Sequence, residues 1–441
     1  MSAATVGGKA AAARRAARRL AAIPTEAKDR ALRAAAERIE AAAPEILAAN
    51  ALDVAEARSL VASGAMARPL LDRLVLDEGK VMGMADGVRA VAALPDPSGR
   101  LLSRTLLDDG LVLEKATCPL GVLAVVFESR PDAVPQIAAL ALKSGNAAIL
   151  KGGRESARSA AALVDAFRSS LAQVPEIPVD ALQLLSGREE VEALLALSDD
   201  VDLVIPRGGN DLVRYVQSRT RIPVLGHAEG VCHVYVDRAA DPEKALAICM
   251  DAKTTYPAAC NAAETVLLHR DVAASILPAL VARLREKDVE VRACGVTRAV
   301  APGLALAPAA EDDFGKEFGA LVLAVKTVES LEEAIDHVNR FGSKHTDAIV
   351  TEDRAAAERF LAEVDSAGVY VNASTRFADG FRYGFGAEVG VSTSKLHARG
   401  PVGLEGLVTY KYRLLGEGHV TATYSGKNAR PFRHLRLDTT A

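Results

Sequence analysis

The stretch Asp251 to Thr265, DAKTTYPAACNAAET, presents one thiol, Cys260, after a Pro–Ala–Ala lead-in. The lead-in predicts a loop-to-helix junction, with the helix beginning near Cys260 and with Asn261 and Glu264 in its first turn. A thiol at the positive end of a helix dipole favours its thiolate, and a thiolate is a nucleophile for acyl chemistry. An arbitrary cysteine is more often a small buried core residue. The surroundings of Cys260 tip the reading toward the nucleophile, because they supply the parts that acyl chemistry with a nicotinamide cofactor requires.

Lys151-Gly152-Gly153-Arg154 follows an apolar run that reads as a parallel strand and precedes a helical pattern. Ligands of such sheets bind beyond the carboxyl ends of the strands, and two glycines permit close backbone approach. Lys151 and Arg154 offer cations for hydroxyls and phosphate. A cation beside an adenosine ribose suits a 2′-phosphate, so this stretch points to NADP(H) rather than NAD. Ile205-Pro206-Arg207-Gly208-Gly209-Asn210 repeats the strand, Gly-rich turn and helix start, and backbone N–H groups at a helix start suit a phosphate. Either turn alone is equally compatible with solvated charge; two in one sheet favour a dinucleotide. No GxGxxG is present, so a standard Rossmann pyrophosphate turn is not supported.

Three further loops are candidates for the substrate. Glu128-Ser129-Arg130-Pro131 follows the first strand of the sheet, and Arg130 there suits a phosphate or carboxylate held by two parallel hydrogen bonds. Asn372-Ala373-Ser374-Thr375-Arg376 and His397-Ala398-Arg399-Gly400-Pro401 are polar and follow apolar segments. Three loop arginines suggest a substrate bearing both phosphate and carboxylate, with at least one of them expected in a structural ion pair. Histidines 227, 233, 269, 337, 345 and 419 lack metal-ligand spacing, so no metal is expected, and Glu229 in HAEGVCH reads as structural.

These parts must be carried by a large α/β framework. The 441 residues suffice for two or three domains, and 50% hydrophobic with 25% charged residues is ordinary for a globular protein. A net charge of −4 implies no general attraction to nucleic acid or to an anionic membrane. Five scattered cysteines without a CxxC pair fit a reducing, cytoplasmic compartment. No apolar run is long enough to span a bilayer. Lys9 to Leu20, rich in Ala and Arg, has the composition of a transit peptide, but reads better as an amphipathic first helix.

Residues 8 to about 94 read as helical, with Thr25 capping a helix and Pro44 restarting it. Leu101 to Thr117 alternates around Asp108-Asp109-Gly110, a hairpin pattern. From Gly121 strands and helices alternate: 121–127, 147–151, 181–185, 201–205 and 222–225 as strands, with a Ser186/Glu189 capping box opening a helix through Leu197. A second set follows, with strands at 234–236, 265–269, 321–328, 347–350 and 369–372. The tail alternates weakly at 407–412 and 419–424 and is suited to pair with the hairpin.

The residues singled out lie in longer stretches: VFESRPDAVPQIAALALKSGNAAILKGGRES, DLVIPRGGN, PVLGHAEGVCHVYVD, DAKTTYPAACNAAET, VDSAGVYVNASTRFADGF and GAEVGVSTSKLHARGPVGLEGL. Through them the chain resembles the gamma-glutamyl phosphate reductases, and also the reductase half of the plant pyrroline-5-carboxylate synthases, without a kinase half. The resemblance implies an aldehyde dehydrogenase-like fold of two doubly wound α/β domains and a small β element. It places an NADP-binding domain at 1–100 and 117–229, a catalytic domain at 230–400, and a β oligomerisation element at 101–116 and 403–425. It further implies a homo-oligomer. Carried over, Cys260 is the nucleophile, Lys151 contacts the adenosine ribose, and Glu317 holds the nicotinamide ribose, although residues 312–319 depart from the usual motif.

The implied activity is reduction by NADPH of L-glutamyl 5-phosphate to L-glutamate 5-semialdehyde, with release of phosphate, in proline biosynthesis. The small-molecule substrate would come from glutamate 5-kinase. Donors for the oxyanions are expected among the backbone N–H groups of Cys260 and Asn261, the segment Glu128–Arg130, and Asn372. Two rival readings stand beside this one: an aldehyde dehydrogenase that oxidises a semialdehyde, which needs a water-activating base, and an inactive regulatory partner of the kinase, which has no need of Cys260 or Lys151.

Overall fold

The computed structural model describes residues 5–187, 189–226 and 229–439. Among these residues the strands form two parallel sheets, an antiparallel sheet and one two-stranded ladder. The first parallel sheet runs Leu182–Leu185, Ala147–Lys151, Val122–Phe127, Leu203–Arg207 across its width. Val122–Phe127 is buried along its whole length, as expected of a parallel strand covered on both faces. The covering layers include the N-terminal helices. In Val6–Leu20 the buried residues Ala10, Ala13, Ala16, Ala17 and Leu20 keep helical spacing, and their small side chains bring the helix close to the sheet. Val389, Ala398, Val402, Leu404 and Leu407, from late in the chain, pack into this same core.

The second parallel sheet has seven strands, ordered Ala307–Pro308, Glu290–Ala293, Val322–Val328, Ala263–His269, Cys232–Val236, Thr346–Val350, Gly368–Val371. The antiparallel sheet joins Val408–Leu415, Leu111–Pro119, Leu101–Asp108 and Leu435–Leu437. Its hairpin turns at Asp109-Gly110, where Gly110 has φ +71°, a conformation that glycine adopts without steric cost. Among the described residues no helix is long and apolar enough to cross a membrane.

Buried ion pairs tie the N-terminal helix Thr25–Ala41 to helix Ala133–Lys143 and to the segment that follows helix Glu78–Ala93. Lys28 meets Asp96 at 2.8 Å, and Lys143 meets Asp29 at 2.5 Å and the Ala92 carbonyl at 2.8 Å. Asn50 fixes the short helix Arg68–Leu74 by donating to the Leu74 carbonyl at 2.9 Å and accepting from the Leu76 N–H at 2.9 Å. This places Arg73 over the sheet's carboxyl edge.

Several local expectations are corrected. Thr25 does not cap its helix; its hydroxyl donates to Asp96 at 2.9 Å, and Pro24 precedes the first turn. The carboxylate that accepts the Ser186 and Gly187 N–H groups is Glu190, not Glu189, and the helix ends at Leu195. Residues 222–225 form only an isolated bridge to Val204, because Pro223 lacks the N–H a ladder needs. Thr421–Tyr424 is a 3-10 turn, and the strand in the tail is Leu435–Leu437 instead. Glu290–Ala293 escaped notice because its charged positions hide a short strand near the sheet edge.

Candidate active site

Cys260 lies in the turn between helix Pro242–Thr254 and strand Ala263–His269. The expected helix start at Cys260 is therefore absent, and Glu264 belongs to a strand. Its neighbours Thr265, Val266 and Leu267 pair with Cys232–Val236 and Val322–Val328, so tertiary pairing overrides the local helical signal. A helix dipole is not what assists this thiol. Arg207 and Arg376 line the same cleft as Cys260. Burial lowers the pKa of both guanidinium groups; Arg130 adds to this at Arg207 and Arg382 at Arg376, while the Cys260 thiolate is among the anions that support their charge.

The backbone of Cys260 is pinned from below. A Cβ on Gly230 would lie 2.1 Å from the Cys260 carbonyl oxygen and 2.6 Å from its Cα, so only glycine permits this approach. The Cys232 thiol donates to the same carbonyl at 3.3 Å. The Gly230 N–H in turn donates to Glu317 at 3.0 Å. A second support lies deeper: Lys253 and Glu264, both fully buried, meet at 2.5 Å, and Glu264 also accepts the Gly319 N–H at 3.1 Å. Burial pushes the Glu264 carboxyl up to about 7 against the opposing pull of Lys253. Glu317 is thus held from both ends of its loop.

A cleft of about 560 Å³ opens over Cys260. Of the sequence-predicted residues it gathers Asn261, Glu317, Arg130 and Arg376, together with Arg207, Gly208 and Gly209, which were expected beside the cofactor and line the Cys260 cleft rather than that of Lys151. Arg376 Nε is buried and without a hydrogen-bond partner. Asn261 donates its amide to the Ala378 carbonyl at 2.9 Å, which leaves its buried Oδ1 unpartnered. Four carboxylates line the cleft, and each accepts a backbone N–H. Glu128 takes Gly209, Glu317 takes Gly230, Glu388 takes Gly380, and Asp379 takes Phe381 and Arg382.

A second cleft, about 830 Å³, shares Glu128 with the first and holds Lys151, Gly152, Gly153 and Arg154 together with Gly187 and Glu189. It lies at the carboxyl ends of the four-stranded sheet, where α/β sheets bind dinucleotides. The Glu155 and Glu189 carboxylates lie close over its glycines: a Cβ on Gly153 would lie 1.9 Å from the Glu155 carboxylate, and one on Gly187 would lie 2.2 Å from that of Glu189. Lys151 is buried, which lowers its pKa, while Glu155, Glu190 and Glu189 favour its charged form. A glycine floor, one buried and one exposed cation, and continuity with the Cys260 cleft fit a nicotinamide dinucleotide.

Other predicted residues line neither cleft. Ser129 is engaged by Glu155, which accepts both its N–H and its hydroxyl at 2.7 Å. Asn372 is bonded through its side chain to the N–H and carbonyl of Thr351, each at 2.9 Å. Ser374 accepts the Arg376 N–H at 3.2 Å, and His397 Nε2 lies 3.1 Å from the Val408 carbonyl. Arg399 pairs with Asp365 at 3.0 Å, the structural ion pair expected of one loop arginine. Glu229 pairs with Arg214, in keeping with its structural reading. His227 lies outside the described residues. Sequence reasoning passed over Gly230, Tyr256, Arg73 and the Lys253–Glu264 pair; only Gly230, a glycine closing the HAEG run, left a visible signal.

The aldehyde dehydrogenase family pattern matches residues 119–294 and 308–407. A gamma-glutamyl phosphate reductase of Synechococcus sp. (strain JA-2-3B'a(2-13)) is 56% identical over 429 residues, covering 97% of this chain and 94% of that protein. The crystal structure of a gamma-glutamyl phosphate reductase from Thermotoga maritima superposes with a TM-score of 0.90 at 40% identity, covering 94% of this chain and 99% of that one. A glyceraldehyde-3-phosphate dehydrogenase from Methanocaldococcus jannaschii, complexed with NADP, shares the fold with a TM-score of 0.66 at 15% identity, over 93% and 94% of the two chains.

Gly230→Ala tests the pinning of Cys260. The added methyl must displace the Cys260 backbone, so turnover should fall at least about a hundredfold, as when one preorganised oxyanion donor is lost. Cofactor affinity, measured by fluorescence titration, should change little. An active variant would show that the close approach is dispensable.

Proposed function

The chain belongs to the aldehyde dehydrogenase family, and from that footing we propose how it reduces L-glutamyl 5-phosphate to L-glutamate 5-semialdehyde in proline biosynthesis. The observation that carries the mechanism is the gathering of Cys260 with Arg207 and Arg376 in one cleft whose carboxylates are all engaged by backbone N–H groups.

The Cys260 thiolate attacks the acyl carbon of the substrate. Neither the Cys260 nor the Asn261 backbone N–H has a hydrogen-bond partner among the described residues, and these two groups take the developing oxyanion. Arg207 and Arg376 hold the departing phosphate by charge-assisted hydrogen bonds, and its loss leaves a thioester on Cys260. The reduced nicotinamide cofactor, when bound, supplies the hydride for the acyl carbon. Lys151 and Gly152 would hold the adenosine ribose, Arg154 a 2′-phosphate, and Glu317 the nicotinamide ribose, with the Arg154 cation favouring NADP(H) over NAD(H). Collapse of the hemithioacetal returns the thiolate and releases the semialdehyde. Each lining carboxylate is oriented by a backbone N–H, and because the substrate carries its own leaving group the reaction needs no water-activating base, unlike the oxidising alternative. Retention of Cys260 and Lys151 in formed clefts speaks against an inactive regulatory partner.

We assign cofactor binding to residues 1–100 and 117–229, the nucleophile to 230–400, and assembly to 101–116 and 403–425. Exposed Tyr410, Tyr412 and Leu414 on the outer strand Val408–Leu415 favour a homo-oligomer. The labile acyl phosphate would be delivered by glutamate 5-kinase in the cytoplasm.

Cys260→Ser should bind NADPH normally and show no turnover; appreciable activity would remove the nucleophile assignment. Arg154→Glu should weaken NADPH binding at least about tenfold more than NADH binding, the scale of one lost charge-assisted contact. Equal effects on the two cofactors would place Arg154 away from the 2′-phosphate.

A further inference from the structure

A third cleft, about 500 Å³, is continuous with the one over Cys260 through three shared residues, Arg73, Arg130 and Tyr256. The Tyr256 ring stands between the two spaces, with the Arg376 guanidinium 6.0 Å from its centroid on the Cys260 side. On the far side lie Lys80 and Asp132. Arg73 sits in the last turn of helix Arg68–Leu74, is partly buried, and has no ion-pair or hydrogen-bond partner among the described residues. The Arg130 side chain is likewise unpaired. Two guanidinium groups that line one cleft without carboxylate partners offer a site for an anion held by charge-assisted hydrogen bonds. The Lys80 ammonium gives one of its three N–H groups to the Val75 carbonyl at 2.6 Å.

The substrate carries two anionic ends. The phosphate must lie at Cys260, because it is lost from the carbon that the thiol attacks, and Arg207 and Arg376 serve it there. The other end, an α-carboxylate with its α-ammonium, must project away from Cys260 into connected space. We propose that Arg73 and Arg130 bind the α-carboxylate of the substrate in this adjoining cleft, with Asp132 facing the α-ammonium, so that Arg73 sets selectivity for an amino-acid semialdehyde over a plain aldehyde. This inference rests on the function proposed above and adds to it which cations meet which end. Arg73 comes from the N-terminal helices, outside both the Lys151 turn and the Cys260 turn, so the recognition element lies far from the catalytic stretch in sequence.

The test is selectivity in the oxidising direction, with NADP and phosphate present. The kcat/KM for glutamate semialdehyde is divided by that for pentanal, which lacks both charged groups, in the unmodified protein and in Arg73→Ala and Arg73→Lys. Loss of one charge-assisted carboxylate contact should lower this ratio about tenfold to a hundredfold in Arg73→Ala. Arg73→Lys should restore part of it, and the KM for NADP and for phosphate should not move. A ratio unchanged in Arg73→Ala overturns the proposal, as does an equal fall for both aldehydes, which would mark a merely structural role. The ratio is readable whether phosphate or water releases the acyl group, because the aldehyde must seat on Cys260 in either case. A protein that oxidises without phosphate would therefore refute the reductase reading while leaving this test intact.

Discussion

The structure depends on one close approach, the backbone of Cys260 resting on Gly230. Strand Cys232–Val236 and strand Ala263–His269 pair in parallel, and the turns at their amino ends must cross where the sheet meets the first domain's cleft. With no side chain on Gly230, the Cys260 turn drops to within van der Waals limits of it, and the thiol faces Arg207 and Arg376 rather than the sheet interior. The same contact passes order outward. The Gly230 N–H orients Glu317, and the buried Lys253–Glu264 pair holds the other side of the Glu317 loop through Gly319. Cys260 and Glu317, the proposed nucleophile and the proposed ribose-binding carboxylate, are therefore joined through Gly230 in a single unit. A buried ion pair is costly to form, and its service here is the placement of a catalytic loop.

Electrostatics divide the labour among the clefts. Cations without close carboxylate partners (Arg73, Arg130, Arg207 and Arg376) cluster where a doubly anionic substrate must lie. Carboxylates in the same region are oriented by backbone N–H donors. Glu128 accepts the Gly209 N–H at the start of helix Asn210–Arg219, a position suited to phosphate as well. Whether phosphate or water meets the acyl-enzyme separates a reductase of acyl phosphates from a hydrolytic dehydrogenase more sharply than the fold does, since the fold serves both.

Most of the architecture was legible in the sequence because parallel strands buried on both faces are continuous apolar runs, as in Val122–Phe127 and Ala147–Lys151. Short or charged strands such as Glu290–Ala293 were not, nor was the proline-interrupted bridge near Val224. The Gly-rich turns stood out because each follows a strand and precedes a helix, and both line clefts at the carboxyl ends of the first sheet. The setting of Cys260 was misread because Asn261, Ala262 and Ala263 look helical locally, while pairing with Cys232–Val236 imposes a strand. Ser129, Asn372, Ser374, His397 and Arg399 looked like binding residues because polar loop residues hold backbone turns and hold ligands with the same groups. Arg73 could not be found from spacing, since tertiary packing alone brings it to the cleft.

The most direct test of the thioester account is the reverse reaction, glutamate semialdehyde with NADP, followed by absorbance of the reduced cofactor with and without inorganic phosphate. Reduction of NADP that requires phosphate is the predicted result, because phosphate must then cleave the Cys260 acyl group. Reduction that proceeds equally well without phosphate would contradict the account, since water would then be releasing the acyl group.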